Sequence, residues 1–286
     1  GWDAVGVTMR LPSAQGCSHP RPCCGWEAAG VCKALEMPHF FVDAVDAFNS
    51  SVIDPFRKAY AEGRTPSPCV DCNTHLKFGQ VWDALEAAWG NVKVATGHYA
   101  RIIGEGRQAR LARAADPGRD QSYFLYGIRH ERLARLFFPL GGWRKDDVRA
   151  LAREAALPTA HRQDSMDLCF AGEGDYRNAL GMDGADLSGP IEDSQGRVLG
   201  QHPGIQHFTP GQRHGLKVAA KHPLYVLRID VPRRAVIVGG KEQAMAETVE
   251  AAEVNLLAPE EALPGAQVFA RVRSSGEPQP CIVEEA

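Results

Sequence analysis

Short apolar runs alternate with longer amphipathic stretches over the N-terminal half of the chain. The runs Asp3–Met9, His39–Val45 and Val92–Tyr99 are typical of buried strands. Segments with apolar residues at helical spacing lie at residues 46–62, 74–89 and 146–156, and the last of them is expected to begin at Asp146 as its N-cap. This strand–helix alternation predicts an α/β fold, with an open, mostly parallel sheet and helices on both of its faces.

The pattern changes after about residue 165. Glycine, proline and β-branched residues become frequent, and short runs predict strands near residues 189–191, 196–200, 225–231, 235–239 and 267–273. We interpret the first four as antiparallel strands of a small β-rich domain. The last run alternates clearly, but too few strands accompany it to close a barrel.

Composition places the chain among soluble globular proteins, because 44% of its 286 residues are hydrophobic and 23% are charged. No apolar run approaches the length of a membrane helix, and no signal peptide is visible. We therefore expect a cytoplasmic protein that does not bind a membrane. In that compartment, eight cysteines favour metal, cluster or catalytic thiols over a disulfide framework.

The net charge of -3 does not by itself indicate nucleic-acid binding. Its distribution is more informative, since residues 101–135 contain eight arginines and the segment from residue 244 onward is acidic. A basic segment on an acidic protein suits a phosphate-binding face, although a solvated arginine-rich surface explains the charge equally well.

The strongest chemical signal is a proline-framed loop that contains Cys69 and Cys72. Pro66 and Pro68 disfavour a helix and hold the chain extended up to the first thiol. The two-residue spacer suits a metal, an iron–sulfur cluster or a redox pair. A third thiol, Cys169, lies in another polar segment. Cys17, Cys23 and Cys24 fit no ordinary zinc-finger spacing, so a small metal site and incidental thiols both remain open for them.

Seven segments, in the same order along the chain, resemble the tRNA-specific 2-thiouridylases, the MnmA/TrmU family. They are Gly63–Asn73, Leu76–Phe78, Ala95–Arg101, Asp120–Tyr126, Phe138–Gly141, Asp164–Ser165 with Cys169–Phe170, and Thr209–Leu216. The resemblance implies an ATP-pyrophosphatase domain of the PP-loop type at 1–165, a central domain at 166–243 and a partial C-terminal β-barrel at 244–286. It also implies 2-thiolation of the wobble uridine of tRNA, in which ATP with Mg²⁺ adenylates the C2 oxygen and a sulfur nucleophile displaces AMP.

The resemblance also assigns roles to individual residues. It makes Cys72 the nucleophile and Cys169 the cysteine that carries a persulfide or closes a disulfide. It places the adenine nucleotide at Met9 and Gly97. The residues implied to contact tRNA are Ser67, Pro68, Cys69, His98, Arg119, Asp120, Gln121, Arg273 and Ser274. The implied partners are tRNA and a cysteine desulfurase or sulfur-relay protein as donor, and the protein is expected to be a monomer.

Cys69 is a variation on the family pattern, because some members have aspartate there. With Cys72 and Cys169 it makes three thiolates, which favours a 4Fe–4S cluster with one iron open to a sulfur ligand, over a zinc ion. In the alternative relay, Cys169 holds the sulfane sulfur and Cys72 attacks it, which is ordinary thiol–disulfide chemistry.

One departure from the family is large. The phosphate-binding Ser-Gly-Gly-Val-Asp-Ser signature is absent, and we expect it, with the first strand of the sheet, to precede residue 1. Two other functions remain open, and the absence of the signature bears only on the first of them. One is a metal-stabilised RNA-binding protein without catalysis. The other is a different PP-loop ATPase, such as an amidating ligase, although amide chemistry needs no thiols.

Overall fold

The computed structural model describes residues 2–12, 26–161, 168–170, 187–258 and 263–284. The strands are β1 (Gly6–Arg10), β2 (His39–Asp43), β3 (Val94–Ala95), β4 (Ala100–Ile103), β5 (Arg110–Arg113), β6 (Leu136–Phe137), β7 (Gly189–Asp193), β8 (Val198–His202), β9 (Tyr225–Asp230), β10 (Ala235–Gly239), β11 (Gln267–Ala270) and β12 (Gln279–Ile282). The α-helices are α1 (Trp26–Ala34), α2 (Val45–Phe48), α3 (Asp54–Ala61), α4 (Pro68–Asp71), α5 (Trp82–Trp89), α6 (His130–Leu133) and α7 (Lys145–Glu154). The predicted thiol group Cys17, Cys23 and Cys24 and the predicted boundary at 165 lie outside the described residues.

The N-terminal part is built on parallel strand pairs, as the sequence predicted. β1 pairs with β2 from Gly6 opposite His39 to Arg10 opposite Asp43, and β3 pairs with β6. Parallel neighbours need a long crossover connection, which the intervening helices supply. The predicted third strand is much shorter than 92–99, because only Val94–Ala95 is paired. The chain beyond it leaves the ladder and turns into the β4–β5 hairpin, which the sequence analysis did not identify.

Two of the predicted helices contain π-helical segments, and this was not predicted. The helix expected at 46–62 runs from Val45 to Ala61 with a π-helical turn at Asn49–Ile53. The helix expected at 74–89 begins earlier, with α4, and continues as a π-helical segment, Cys72–Val81, into α5. A π turn adds a residue to the helical turn and is frequent at functional sites.

Gly79 explains why the second π-helical segment is possible. Its backbone is non-helical, at φ -104° and ψ -108°, and a Cβ there would lie 2.9 Å from the carbonyl oxygen of Thr74. The buried guanidinium of Arg132 donates to the carbonyl oxygens of Phe78 and Gly79. Arg132 thus satisfies backbone acceptors at the irregular turn, which would otherwise be costly to bury.

The N-terminus of α7 corrects one detail of the sequence analysis. Arg144, not Asp146, occupies the N-cap position, and no side chain of α7 caps it. The Lys145 amide instead donates to the Asp116 carboxylate at 3.1 Å. Asp146 lies in the first turn, where its negative charge interacts favourably with the positive end of the helix dipole.

The central part is a four-stranded sheet in the order β8-β7-β10-β9. β10 is buried along its whole length and packs Val236 and Val238 against Ile191 and Val226. It is antiparallel to β9 but parallel to β7, so the prediction of purely antiparallel strands was wrong at this pair. A parallel pairing was missed because the alternation of a single strand carries no information about the direction of its neighbour.

The C-terminal segment, which contains the hairpin of β11 and β12, contacts the N-terminal part of the chain. The Asn255 side chain donates to the carbonyl oxygens of Tyr126 and Ile128. The Tyr123 hydroxyl donates to the carbonyl oxygen of Val272. Within the described ranges, no helix has both the length and the apolar character needed to cross a bilayer.

Candidate functional site

The two thiols of the proline-framed loop lie on one turn of helix. Pro68 occupies the first turn of α4, where its missing N–H costs nothing. Cys69 follows and is exposed, whereas Cys72, three residues later, is only 7% exposed and packs in the cluster formed around Phe48 and Leu76. The chain is therefore helical from Pro68 onward, one residue before the first thiol up to which an extended chain was expected, and both thiols lie on helical backbone.

The loop is fixed to the rest of the molecule at both ends. Before α4, the Thr65 hydroxyl donates to that of Thr209, in the central part of the chain, at 3.2 Å. After it, the buried side chain of Asn73 donates to the Phe124 carbonyl oxygen at 2.9 Å. The Lys77 ammonium donates to the side-chain oxygen, Oδ1, of the same Asn73 at 3.1 Å. This arrangement orients Lys77 toward the thiols.

Lys77 and Asn73 are functional candidates that sequence reasoning missed. In an ordinary α-helix, a residue five positions after Cys72 would point away from it, but the wider π turn brings the fifth residue back toward the same face. The only sequence signal was the glycine that follows at position 79, inside an otherwise helical pattern. A glycine in a predicted helix indicates an irregular turn but not its type.

The surroundings of the two thiols oppose their ionisation. Burial raises the pKa of Cys72 above its ordinary value of 9.0, the nearby Lys77 ammonium lowers it, and Cys69 and Asp71 raise it again. Burial likewise raises the pKa of Cys69, and Lys77 again opposes the shift. Lys77 is thus the cation that favours the reactive thiolate form at both positions.

His98 and Gly97 follow β3, at the carboxyl end of the strand. The His98 ring lies 5.9 Å from the Phe78 ring, and its Nδ1 pairs with the Thr96 hydroxyl at 2.8 Å. Burial, and then the charge of Lys77, lower the pKa of His98 to about 3, so the imidazole is neutral. Gly97 is exposed, and a Cβ there would meet only Leu140, at an ordinary 3.7 Å. No neighbouring protein atom requires glycine here, which leaves room for a ligand to approach the backbone.

Asp120 and Gln121 lie beside His98, but both side chains are used inside the protein. The Asp120 side chain is 3% exposed and accepts hydrogen bonds from the Ala114 and Ser122 amides, at 3.0 and 3.3 Å, and from Arg113 at 3.2 Å. Gln121 accepts from the Tyr99 amide through its side chain and donates to the Tyr99 carbonyl oxygen through its own amide, both at 2.8 Å. These residues hold the strand-end segment in place.

The remaining residues matched to tRNA contacts lie in the N-terminal and C-terminal parts of the chain. Arg119 is exposed at the end of a short 3₁₀ turn, Pro117–Arg119. Arg273 and Ser274 are exposed beyond β11, and the Arg273 guanidinium donates to the Pro210 carbonyl oxygen, next to the Thr209 that contacts Thr65. The segment around Thr209 therefore connects Arg273 to the cysteine loop.

Cys169 lies near this loop, but the three thiols do not form a metal site. Cys169 is exposed, and the adjacent Phe170 packs against Phe48 and Phe56, in the same cluster as Cys72. Cys69, Cys72 and Cys169 are not joined to one another or to another described cysteine in a disulfide. Across the ranges that the structure describes, no three side chains of histidine, cysteine, aspartate or glutamate are placed to hold a metal ion. The arrangement does not fit a 4Fe–4S cluster, and we derive no step through one.

Met9 lies at the carboxyl end of β1 and is half-buried against the cluster around Phe48. Its neighbour Arg10 pairs with Asp43 across the β1–β2 pair. Met9 and Gly97 both lie where parallel strands end, the edge at which open α/β sheets bind ligands.

Comparison with known proteins places this chain in a family. A family model described as the tRNA methyl transferase HUP domain matches residues 1–173, and one described as the tRNA methyl transferase PRC-barrel domain matches residues 178–240. The chain is 44% identical over 265 residues to "tRNA-specific 2-thiouridylase MnmA 1" of Syntrophus aciditrophicus, covering 91% of the chain and 71% of the relative. It is 42% identical over 292 residues to the MnmA of Methylorubrum extorquens, and this match covers 98% of the chain and 75% of the relative. The MnmA of Anaplasma marginale is 41% identical over 284 residues, covering 96% and 73%. These matches confirm the resemblance and the predicted fold class, and the chain belongs to the family of the tRNA-specific 2-thiouridylases.

Proposed function

We propose that the protein catalyses ATP-dependent 2-thiolation of the wobble uridine of tRNA. The observation that carries this proposal is the placement of the buried Cys72 close to Lys77, whose charge also acts on His98 just beyond the parallel strand β3. The relatives are named thiouridylases, whereas the family models carry the description of a methyl transferase. The site favours sulfur chemistry, because it combines a cation with a nucleophilic thiol and two further thiols that are not joined in a disulfide, Cys69 and Cys169.

The first step of the proposed reaction activates the base. The uridine C2 oxygen attacks the α-phosphate of ATP, pyrophosphate leaves, and the oxygen becomes part of an adenylate. Gly97 suits the nucleotide because its backbone is exposed and open to close approach. The target base must leave its stack to reach this edge, and the rigid turn at Ser67, Pro68 and Cys69 is a suitable receptor for it.

The second step replaces oxygen with sulfur. A donor protein leaves a persulfide on the exposed Cys169, and the Cys72 thiolate attacks the Cys169 sulfur that carries the sulfane sulfur. A Cys72–Cys169 disulfide forms, and hydrosulfide leaves with the electron pair of the broken bond. Hydrosulfide then attacks C2, and AMP departs with the original oxygen. Lys77 supports this step because its charge favours the Cys72 thiolate.

A 4Fe–4S cluster is the alternative sulfur carrier, and it would require Cys69, Cys72 and Cys169 to converge further than they do in the described structure. The two schemes differ in their need for iron. The relay predicts that protein freed of iron by a chelator thiolates tRNA from a persulfide donor at the rate of the untreated protein. Loss of activity on iron removal, with recovery on anaerobic reconstitution, would favour the cluster.

The proposed function is tested with protein expressed from its whole gene. Unmodified tRNA, ATP and a persulfide donor are incubated with it, and 2-thiouridine and AMP are measured by mass spectrometry and chromatography. We expect one AMP for each thiouridine, no product with Cys72→Ser, and unchanged product with the control Cys281→Ser on β12. Methyl transfer from S-adenosylmethionine without thiouridine would refute the proposal.

A further inference from the structure

Cys69 is the thiol that the proposed reaction leaves without a chemical role. It lies three residues before Cys72, and the backbone between them is helical, with Cys72 itself at φ -61° and ψ -43°. On a helix, residues three apart are neighbours, with Cβ atoms about 5–6 Å apart. A disulfide requires a Cβ separation of about 3.5–4.5 Å. A small adjustment at the first turn of α4 therefore suffices to join the two sulfurs.

The two thiols differ in their access to solvent. Cys72 is buried, so a disulfide that it forms with Cys169 presents one of its sulfurs to the protein interior. Cys69 is exposed on the surface turn that follows Pro68. It is also close enough for a charge on its sulfur to act on Cys72. The exposed thiol thus stands beside the sulfur that the reaction oxidises.

We propose that Cys69 is the resolving cysteine of this site. The inference rests on the proposed function. The Cys69 thiolate attacks the Cys72 sulfur of the Cys72–Cys169 disulfide, a Cys69–Cys72 bond forms, and Cys169 leaves as a thiolate. The exchange involves no net oxidation, because one disulfide replaces another. An external dithiol then supplies two electrons to the Cys69–Cys72 disulfide and restores both thiols.

This exchange has two consequences for turnover. Cys169 is freed and accepts the next persulfide while the oxidised pair waits on α4. The new disulfide keeps one exposed sulfur, that of Cys69 in place of Cys169, so a reductant still attacks it from solvent and does not need to reach the buried Cys72. Access of this kind determines the rate of thiol–disulfide exchange.

The sequence provides a direct readout of the disulfide. Trypsin cleaves after Arg64 and Lys77, and the peptide Thr65–Lys77 contains Cys69, Cys72 and no other cysteine. In the experiment, reduced protein is loaded with a low-molecular-weight persulfide and given ATP and tRNA without a reductant. The reaction is quenched in acid, free thiols are alkylated, and the digest is analysed by mass spectrometry.

We expect the wild-type protein to end with this peptide lighter by two hydrogens and with Cys169 alkylated. Cys69→Ser should still make up to one thiouridine per protein, which shows that it is folded, and should then accumulate the peptide crosslinked through Cys72 and Cys169. Because Cys69 also borders the proposed base receptor, the extent of this first turnover is compared with wild type, and not its rate. Its later turnovers with a dithiol should be largely lost. The control Cys281→Ser should behave as wild type in both phases.

Two results would overturn the inference. One is a wild-type protein that ends crosslinked through Cys72 and Cys169 with Cys69 alkylated. The other is a Cys69→Ser variant that turns over repeatedly at the wild-type rate. Failure of the proposed function would look different, because neither the wild type nor any variant would then make thiouridine in the first turnover. In that case the inference would fail together with the proposed function.

Discussion

Replacing Asp120 with alanine should destabilise the protein and not simply weaken its contact with tRNA. The family resemblance assigns the neighbourhood of Asp120 to tRNA binding, but its carboxylate is 3% exposed and is fully engaged inside the chain. It accepts hydrogen bonds from two backbone amides, Ala114 and Ser122, as well as from the Ser122 hydroxyl and Arg113. These contacts close the loop between β5 and the segment next to His98.

The size of the effect follows from the groups left unpaired. The Ala114 amide is in a buried residue and the Ser122 amide in a half-buried one, so their loss costs about 2–4 kcal/mol together. The bridge to the half-exposed Arg113 adds at most about 1 kcal/mol. Asp120→Asn keeps one oxygen for both amides and should cost only about 1–2 kcal/mol. Against a typical total of about 5–15 kcal/mol, the alanine variant remains folded but is clearly weakened.

Urea unfolding measures the effect, and Arg119 provides the matched control. Its side chain is exposed one residue away, so Arg119→Ala should change the free energy of unfolding by no more than about 0.5 kcal/mol. It should weaken tRNA binding and reduce the slope of log K against log salt by about 1, the effect of losing one phosphate contact. If Asp120→Ala unfolds at the wild-type urea concentration but loses tRNA affinity, Asp120 is a tRNA contact and the structural reasoning is wrong.

The contribution of the Asp120 carboxylate to stability should also depend on pH. Burial raises the pKa of Asp120, but hydrogen bonds from Ala114, Ser122 and Arg113 outweigh burial and hold the pKa below its ordinary value of 3.8. A carboxylate with a lowered pKa stabilises the folded state fully above its unfolded pKa, and the contribution disappears as the pH falls through the folded value. The stability difference between wild type and Asp120→Asn should therefore shrink below pH 3.8.

Three further predictions concern the thiol loop. Gly79→Ala should lower the free energy of unfolding in urea by about 1–3 kcal/mol, because the added Cβ would lie 2.9 Å from the Thr74 carbonyl oxygen. The control Gly30→Ala, at a helical position with open space around it, should leave the free energy of unfolding unchanged or raise it. Lys77→Met should raise the pKa of Cys72 further and shift the pH profile of Cys72 alkylation to higher pH, whereas Lys77→Arg should preserve the profile. An unchanged profile in Lys77→Met would refute the electrostatic role of Lys77. His98, with a pKa of about 3, should contribute no inflection to the thiolation rate between pH 5 and 8, and an inflection that disappears in His98→Asn would contradict its burial.

The sequence predicted the elements that depend on periodicity and missed those that depend on tertiary packing. Strands at β1, β2 and β7 to β10 were identified, because apolar runs bounded by glycine or proline are local signals. The π-helical segment Cys72–Val81 was not, because it results from Gly79 and from the Arg132 guanidinium that satisfies its carbonyl oxygens. Arg132 lies more than fifty residues away, and no local pattern reports such a contact.

The candidate site shows the same division. The thiols were found because cysteine spacing is visible in sequence, and Gly97 and His98 because they follow a predicted strand. The motif could not distinguish a side chain that faces a substrate from one that holds the backbone. Gln121 belongs to the second class, since its side chain and its amide both bond to Tyr99.

The arginine-rich segment illustrates why charge counted along a chain is a poor guide to an RNA-binding face. Its eight arginines divide into two groups in the structure. Arg129, Arg132 and Arg135 pair with the carboxylates of Asp83 and Glu86 on α5. The charge of that group is largely neutralised within the protein, and the Arg132 side chain is 3% exposed.

The other arginines lie on or beside the β4–β5 hairpin. Arg101, Arg107, Arg113 and Arg119 are exposed there, and Asp120 and Gln121 connect this hairpin to Tyr99 and His98. A phosphate bound at the hairpin would therefore be held at a fixed distance from the strand end that carries Gly97. If tRNA binds as proposed, this short segment would both position a long polyanion and orient one of its bases, so we expect the exposed arginines of the hairpin to contact tRNA phosphates although the net charge of the protein is -3.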